Sequence, residues 1–271
     1  MGAPYSGFRW EVADGVGTVT LDRPDKLNAL TFEVYDELVR LFAEAGGMDD
    51  VRVVVLRGEG RAFCSGGDVN EIIGRLLGRS EEERLAFTRT TCALVRNIRL
   101  APQPVIASLH GAVAGAGAVI ALASDLRVAA ASTRFSFLFT KVGLTGADMG
   151  AAWLLPRVVG FGRASGILLL GDRVPAEEAL RMGLVNRVVP EEELAAATAE
   201  WARRLADGAR DGIVATKRLL QRELEMDFDE ALEAEAMGQA VLLGGPDHHE
   251  YHTAFNEKRP PVFRKAKEQR P

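Results

Sequence analysis

Glycine gathers at two places in this chain, each ending a stretch that could be a strand. One is Ala62-Phe-Cys-Ser-Gly-Gly-Asp-Val69, and the other is His110-Gly-Ala-Val-Ala-Gly-Ala-Gly-Ala118. Ahead of the second lies Val105 to Leu109, an apolar run behind Pro104 that suits a buried strand. After it, Ile120-Ala-Leu-Ala123 is built of helix formers. A strand that turns into a helix through bare backbone leaves the first helical N–H groups without intrahelical partners, at the positive end of the dipole. Such groups can face an anion, or an oxygen that becomes one during reaction. Small residues there also let two backbones pack closely, and for one turn alone both readings stand. Two such turns could bring two N–H donors to one point, where they would polarise a carbonyl and stabilise an enolate or a tetrahedral oxyanion. Removing one donor of that kind costs on the order of 3 kcal/mol.

Other chemistries find less support. Gly115-Ala-Gly117-Ala-Val-Ile120 lacks the third glycine of a dinucleotide fingerprint and sits in mid-chain rather than after the first strand. No Gly-x-Ser-x-Gly elbow is present. Cys64 is a conceivable nucleophile, but no motif places His110, His248, His249 or His252 to activate it, and a buried thiol is the simpler reading. The partly metal-like spacing of His248, His249 and His252 reads more simply as a polar helix start after Pro246. Asp148, in Gly146-Ala-Asp-Met-Gly150, stands at or near the start of the following helix, where aspartate is a favoured cap.

The elements around these residues follow from local patterns. Phe8 to Asp22 alternates about Ala13-Asp-Gly15 as a hairpin, Thr31 is placed to cap a helix to about Ala45, and Val51 to Arg57 is a second buried strand. Ala62 to Val69 reads as a strand end entering a helix. Ser80-Glu-Glu-Glu83 is a capping box opening a helix to about Leu100. Asp125 to Ala130 and Arg134 to Phe139 read as strands, Ala151 to Val158 as a helix, and Pro175 as the first position of a helix ended by Gly183, with a strand from Leu184 to Val189. From Pro190 the pattern is helical, broken near Gly208 to Gly212 and at Gly244-Gly-Pro246. The spacing therefore predicts an α/β body over residues 1–190 and a helical region over 191–271.

The 271 residues carry a net charge of -5 and 47% hydrophobic residues. That balance argues against nucleic acid or an anionic membrane as the main partner, while leaving room for a local basic patch. Cys64 and Cys92 make no disulfide framework or metal cluster. With no signal peptide recognisable at the N-terminus, a cytoplasmic location is expected.

Taken together, Arg23-Pro-Asp-Lys-Leu-Asn-Ala-Leu30, Val53 through Gly66-Gly-Asp68, Pro104 through Asp125, Gly171-Asp-Arg-Val-Pro-Ala-Glu-Glu-Ala179 through Gly183-Leu-Val-Asn186, and Phe255-Asn-Glu-Lys-Arg-Pro-Pro261 resemble the enoyl-CoA hydratase/isomerase (crotonase) superfamily. The motifs run in family order over nearly the whole chain. The resemblance implies a spiral of ββα turns with a C-terminal helical trimerisation region, assembled as a homotrimer or dimer of trimers. It implies an acyl-CoA thioester substrate and no cofactor beyond that coenzyme A moiety. The oxyanion donors would be the N–H groups of Gly67 and Ala116. Coenzyme A would lie along Lys26, Leu27 and Ala29 and along Ala62, Ser65, Gly66, Asp68 and Val69, with Phe255 and Lys258 reaching it. A surface cation is the plain alternative for Lys26 and Lys258, and a helix cap for Asp68.

Departures from the family pattern bear on the reaction. Hydratases of the common type carry glutamates where this chain has Val119 and Phe139, and neither residue can hold water or move a proton. Asp148 stands where dienoyl-CoA isomerases and 4-chlorobenzoyl-CoA dehalogenase carry a working aspartate, but the dehalogenase's helper histidine would fall near Arg96 and is missing. The resemblance thus favours double-bond isomerisation, with Asp148 moving a proton and Val119, Phe139, Leu144 and Trp153 forming an apolar acyl pocket. Hydration, thioester hydrolysis or retro-aldol cleavage, with a water held by Asp148 or by another acid such as Glu71, is the second expectation. A protein that binds acyl-CoA without turning it over is the third.

Overall fold

The computed structural model describes residues 5–263. The end of the expected helical region, 264–271, lies outside the described residues. Strands β1 (Phe8–Ala13) and β2 (Val16–Leu21) form the hairpin, with Ala13 opposite Val16. Asp14 (φ 50°) and Gly15 (φ 81°) make the left-handed two-residue turn that matches strand twist. Strands β3 (Val53–Gly58), β4 (Val105–Leu109), β6 (Leu126–Ala130) and β9 (Arg187–Val189) extend the sheet in parallel, in the order β1-β2-β3-β4-β6-β9. A second sheet holds β5 (Ala112–Ala114), β7 (Arg134–Ser136) and β8 (Arg173–Pro175).

Helices connect the strands. α1 (Phe32–Glu44) starts at Thr31, whose side chain accepts from the Val34 N–H, and α2 (Glu81–Leu100) starts at the reciprocal Ser80/Glu83 box. α3 (Ala116–Ala123) follows β5, and α4 (Ala151–Val159) and α5 (Phe161–Leu170) follow β7. α6 (Ala176–Arg181) lies between β8 and β9. α7 (Leu194–Ala206), α8 (Arg210–Arg222), α9 (Phe228–Leu243) and α10 (Pro246–Glu257) complete the chain's helical end.

The central strands are apolar on both faces because both are covered. Val54 and Leu56 of β3 join the cluster formed with α1, α2 and α3, while Val53 and Val55 face the other way, with Ile106 and Val128, toward Leu194, Ala197 and Ala202 of α7. Each such valine or isoleucine contributes about 1.5–3 kcal/mol by its burial. The first helix beyond residue 190 therefore closes the sheet's second face. Thr198 of α7 donates to Ser108 of β4 at 2.9 Å within that contact.

Several elements differ from the sequence expectation. The chain does not pass from β4 straight into a helix, because β5 intervenes and pairs with β7. Ala62 to Val69 makes only single bridges, Cys64 to Val113 and Leu30 to Gly67, and enters a π-helical turn, Val69–Gly74. β7 ends at Ser136, and Phe139 lies in a 3₁₀ turn, Leu138–Val142. Pro175 closes β8 and precedes α6 instead of opening it, and β9 is confined to its last three residues.

Candidate active site

The first glycine turn is held against the loop that precedes α1. Leu27 (φ 50°) and Asn28 (φ 55°) bend that loop into the left-handed region without glycine. The cost is offset by side-chain bonds: Asn28 Oδ1 accepts from Arg23 N–H at 2.9 Å, and its Nδ2 donates to the carbonyls of Glu59 (2.9 Å) and Ala62 (2.7 Å). Main-chain bonds then lace loop to turn, from Ser65 N to Leu27 O (3.0 Å), from Leu30 N to Gly66 O (2.8 Å) and from Asp68 N to Leu30 O (2.8 Å). Lys26, Leu27, Ala29, Ala62, Ser65, Gly66 and Asp68 are thereby brought together. Lys26 is exposed on the 3₁₀ turn Pro24–Lys26, and Val69 is also exposed.

Asp68 caps the π-helical turn, accepting from the N–H groups of Asn70 (3.0 Å) and Glu71 (3.1 Å). Those bonds, led by that from Glu71 and helped by Arg23, hold its carboxyl below the ordinary range. Arg23 reaches the same place, donating to Ala29 O (2.6 Å) and pairing with Asp68 (3.3 Å) and Glu71 (3.1 Å). Glu71, a candidate acid from the sequence, is thus engaged by a guanidinium. Arg23 is a site residue for which the sequence supplied no role, since its acidic partners lie 45 and 48 positions away.

The second turn meets the first. A Cβ added to Gly66 (φ 106°) would stand 3.2 Å from Ala114 O and 3.5 Å from Ala116 N, and one added to Gly115 would stand 3.6 Å from Gly66 Cα. At Gly117 a Cβ would meet Cys64 O at 2.6 Å and Cys64 Cβ at 2.7 Å, so only glycine lets α3 begin this close. Among the described residues no side chain caps α3. Among the described residues the N–H groups of Gly67 and Ala116 have no hydrogen-bond acceptor, although Ser65, Asp68 and Gly115 beside them do. Burial pushes the Cys64 thiol up to about 12, which makes it an inert packing group.

Asp148 lies in the loop before α4, half-buried. Its Oδ1 accepts from the Met149 N–H at 2.9 Å, and its side chain does not cap α4, whose N-cap is Gly150. Burial raises its pKa, opposed by the Met149 bond, and no cation pairs with it among the described residues. A carboxyl held this way is suited to taking up and releasing a proton. Its charge is felt by the buried Tyr35 hydroxyl on α1, which burial raises first, and by the Cys92 thiol on α2. Neither residue carried a sequence signal, since a tyrosine in an amphipathic helix reads as core.

The four expected acyl-pocket residues do not share one environment. Val119 and Phe139 are buried in the core, whereas Leu144 is 55% and Trp153 37% exposed. α4 turns Leu154 and Leu155 inward, and Trp153 lines the open cleft between α2 and α8, its ring 3.8 Å beneath the Arg157 guanidinium. Phe255 and Lys258 stand exposed at the end of α10, with no hydrogen bond or ion pair to the glycine turns. His110 is buried and hydrogen-bonded to Gly60 O at 2.8 Å. His248, His249 and His252 lie on α10, and no metal-binding group of three His, Cys, Asp or Glu exists among the described residues.

A six-stranded and a three-stranded sheet followed by helices, and two glycine turns packed against each other, define a class of fold and site. The family model for enoyl-CoA hydratase/isomerase matches residues 11–267, and the chain belongs to that family. It is similar to a probable enoyl-CoA hydratase of Rhodobacter capsulatus, 38% identical over 96% of this chain and 98% of that protein. It is also similar to 1,2-epoxyphenylacetyl-CoA isomerase of Escherichia coli, 36% identical over 93% and 96%. A crystal structure from Streptomyces coelicolor A3(2), described as an enoyl-CoA hydratase, superposes with a TM-score of 0.94 at 54% identity, covering 97% of each chain. The α/β spiral with C-terminal helices is therefore the crotonase fold. No helix among the described residues is long and apolar enough to cross a membrane.

Proposed function

We propose that this protein moves a double bond within an unsaturated acyl-CoA through an enolate. The observation that carries this reading is the contact between the two glycine turns, with the Gly67 and Ala116 N–H groups both lacking protein acceptors. Donors fixed in this way stabilise charge as it develops on a thioester oxygen and need no reorganisation. Asp148, ionised, removes a proton from one carbon of the acyl group. The electron pair moves through the conjugated system to the thioester oxygen, and the same carboxyl returns a proton to another carbon as the carbonyl re-forms. One acid suffices. The coenzyme A portion would lie along Lys26, Leu27, Ala29, Ala62, Ser65, Gly66, Asp68 and Val69, with Phe255 and Lys258 reaching it.

Asp148→Asn tests this on enoyl- and dienoyl-CoA substrates in deuterated water. Turnover is expected to fall about 10²–10⁴-fold together with solvent deuterium incorporation; unchanged turnover removes Asp148 from the reaction. Hydration is the second reading, favoured by the hydratase names of the R. capsulatus and S. coelicolor proteins. It requires oxygen from heavy-oxygen water in the product, which isomerisation does not incorporate. The assembly follows from the same reading. Leu220, Leu224, Phe228, Met237 and Val241 of the C-terminal helical region are exposed, as suits a homotrimer or dimer of trimers. Light scattering at a single-chain mass would overturn that part.

A further inference from the structure

We propose that the acyl group accepted here ends in a carboxylate, held between α2 and α8 by Arg96, Arg99, Arg218 and Arg222; this rests on the acyl-CoA reading above. The two helices enclose a cleft of about 720 Å³, within the range of small-molecule sites. Arg96 and Arg99 stand three positions apart on α2, Arg218 and Arg222 four apart on α8, and all four line the cleft. Spacings of three and four put like charges side by side on a helix, where they repel. Glu225 is the only acid in the lining among the described residues, and Lys217 beside the arginines is already paired with Asp125 at 2.7 Å. None of the four arginines has an ion pair among the described residues. Burial lowers the basicity of Arg99, and the charge of Asp125 offsets this only in part. In a chain of net charge -5, this concentration of cations is left for an anion from outside. Guanidinium forks bind carboxylates in parallel pairs of hydrogen bonds.

The cleft also begins beside the proposed acid. Met149, whose N–H donates to Asp148 Oδ1 at 2.9 Å, lines the cleft together with Cys92. From Cys92 to Arg96 is one helical turn, about 6 Å, and to Arg99 about 10 Å along the axis. Val95, Trp153 and Leu154 line that path with apolar surface for methylene groups. A short aliphatic chain therefore joins a reacting carbon near Asp148 to a carboxylate among the arginines.

The test compares enoyl-CoA substrates of equal chain length ending in a carboxylate or in its methyl ester, using the full chain at low salt. A preference of about tenfold or more in kcat/KM for the carboxylate is expected, falling toward one in the Arg96→Gln/Arg222→Gln double variant. Equal or reversed preference, or a preference that survives the double substitution, overturns the proposal. Calorimetric Kd values for the saturated acyl-CoA pair give the same comparison without turnover: tighter carboxylate binding supports the cleft, and equal Kd values reject it. If Asp148→Asn leaves turnover intact, the isomerase reading fails, while the binding comparison still decides the cleft.

Discussion

The two glycine turns that meet at the site open their helices by opposite means. At Asp68 a carboxylate accepts the first N–H groups of the turn and is itself held by Arg23. At Gly115 no side chain caps α3, and the helix start is set by the absence of a Cβ at Gly117 against Cys64. One turn is positioned by polar bonds and the other by packing. In each, one N–H is left outside those restraints, Gly67 in one and Ala116 in the other. A polar scaffold bends when a bond is lost, whereas a packed contact has no room to adjust.

Gly117→Ala breaks the packed turn and is expected to have the largest effect. Its Cβ would need to displace backbone, at about 1–3 kcal/mol of stability, and it would move the Ala116 donor relative to Gly67. Loss of one oxyanion donor corresponds to about 10²–10³-fold in kcat. Steady-state kinetics and urea unfolding measure the two. Gly162→Ala is the control, because a Cβ there meets nothing within 4 Å in α5 and the helix gains up to about 1 kcal/mol. If both substitutions reduce kcat equally, the contact with Cys64 is not what places the donor.

Arg23→Gln acts on the polar turn and should cost less. Losing charge-assisted bonds to Ala29 O, Asp68 and Glu71 is expected to destabilise by about 2 kcal/mol. Since the loop and turn keep their main-chain bonds, kcat/KM should fall only about tenfold, with part of the loss in KM. A loss of the Gly117→Ala size would mean that both donors depend on the polar network.

The same contrast explains what was legible in the sequence. Thr31, Ser80/Glu83 and Asp14-Gly15 act on residues a few positions away, so their helix and hairpin starts could be read from type and spacing. Each glycine turn was readable alone for the same reason. Their meeting was not, because Gly66 and Gly115 approach only once Cys64 bridges to Val113 and β5 to β7. Three residues, Ala112-Val-Ala114, carry too little alternation to announce a strand. Trp153 could be named from its place beside Asp148, but not the cleft it lines, because Arg96, Arg99 and Arg218 in the same wall come from α2 and α8 far along the chain. Arg23 was visible within a motif, but its role depends on acids far along the chain.

The smallest expected effects separate the two aspartates by pH. Asp68 is held below its ordinary pKa by the bonds of the cap, so it contributes stability that is present above the unfolded value near 3.9 and lost as pH falls through the folded one. Asp68→Asn keeps a capping oxygen but loses the charge paired with Arg23, so it should cost up to about 1 kcal/mol at pH 7, and the difference from wild type should shrink in acid. Asp148 shifts the other way, raised by burial. Its native state binds more protons than the unfolded chain between the two pKa values, so wild-type stability falls as pH rises through that window. Asp148→Asn removes the buried charge and should raise Tm at pH 8, with the gain closing as pH is lowered toward the ordinary carboxylate range. Thermal unfolding of both variants from pH 4 to pH 8 reads the two slopes. Opposite signs keep the distinction between an acid that holds the backbone and one left free to exchange its proton. Equal signs would make Asp148 a second structural anchor, and the packed turn would then have to work without an acid beside it.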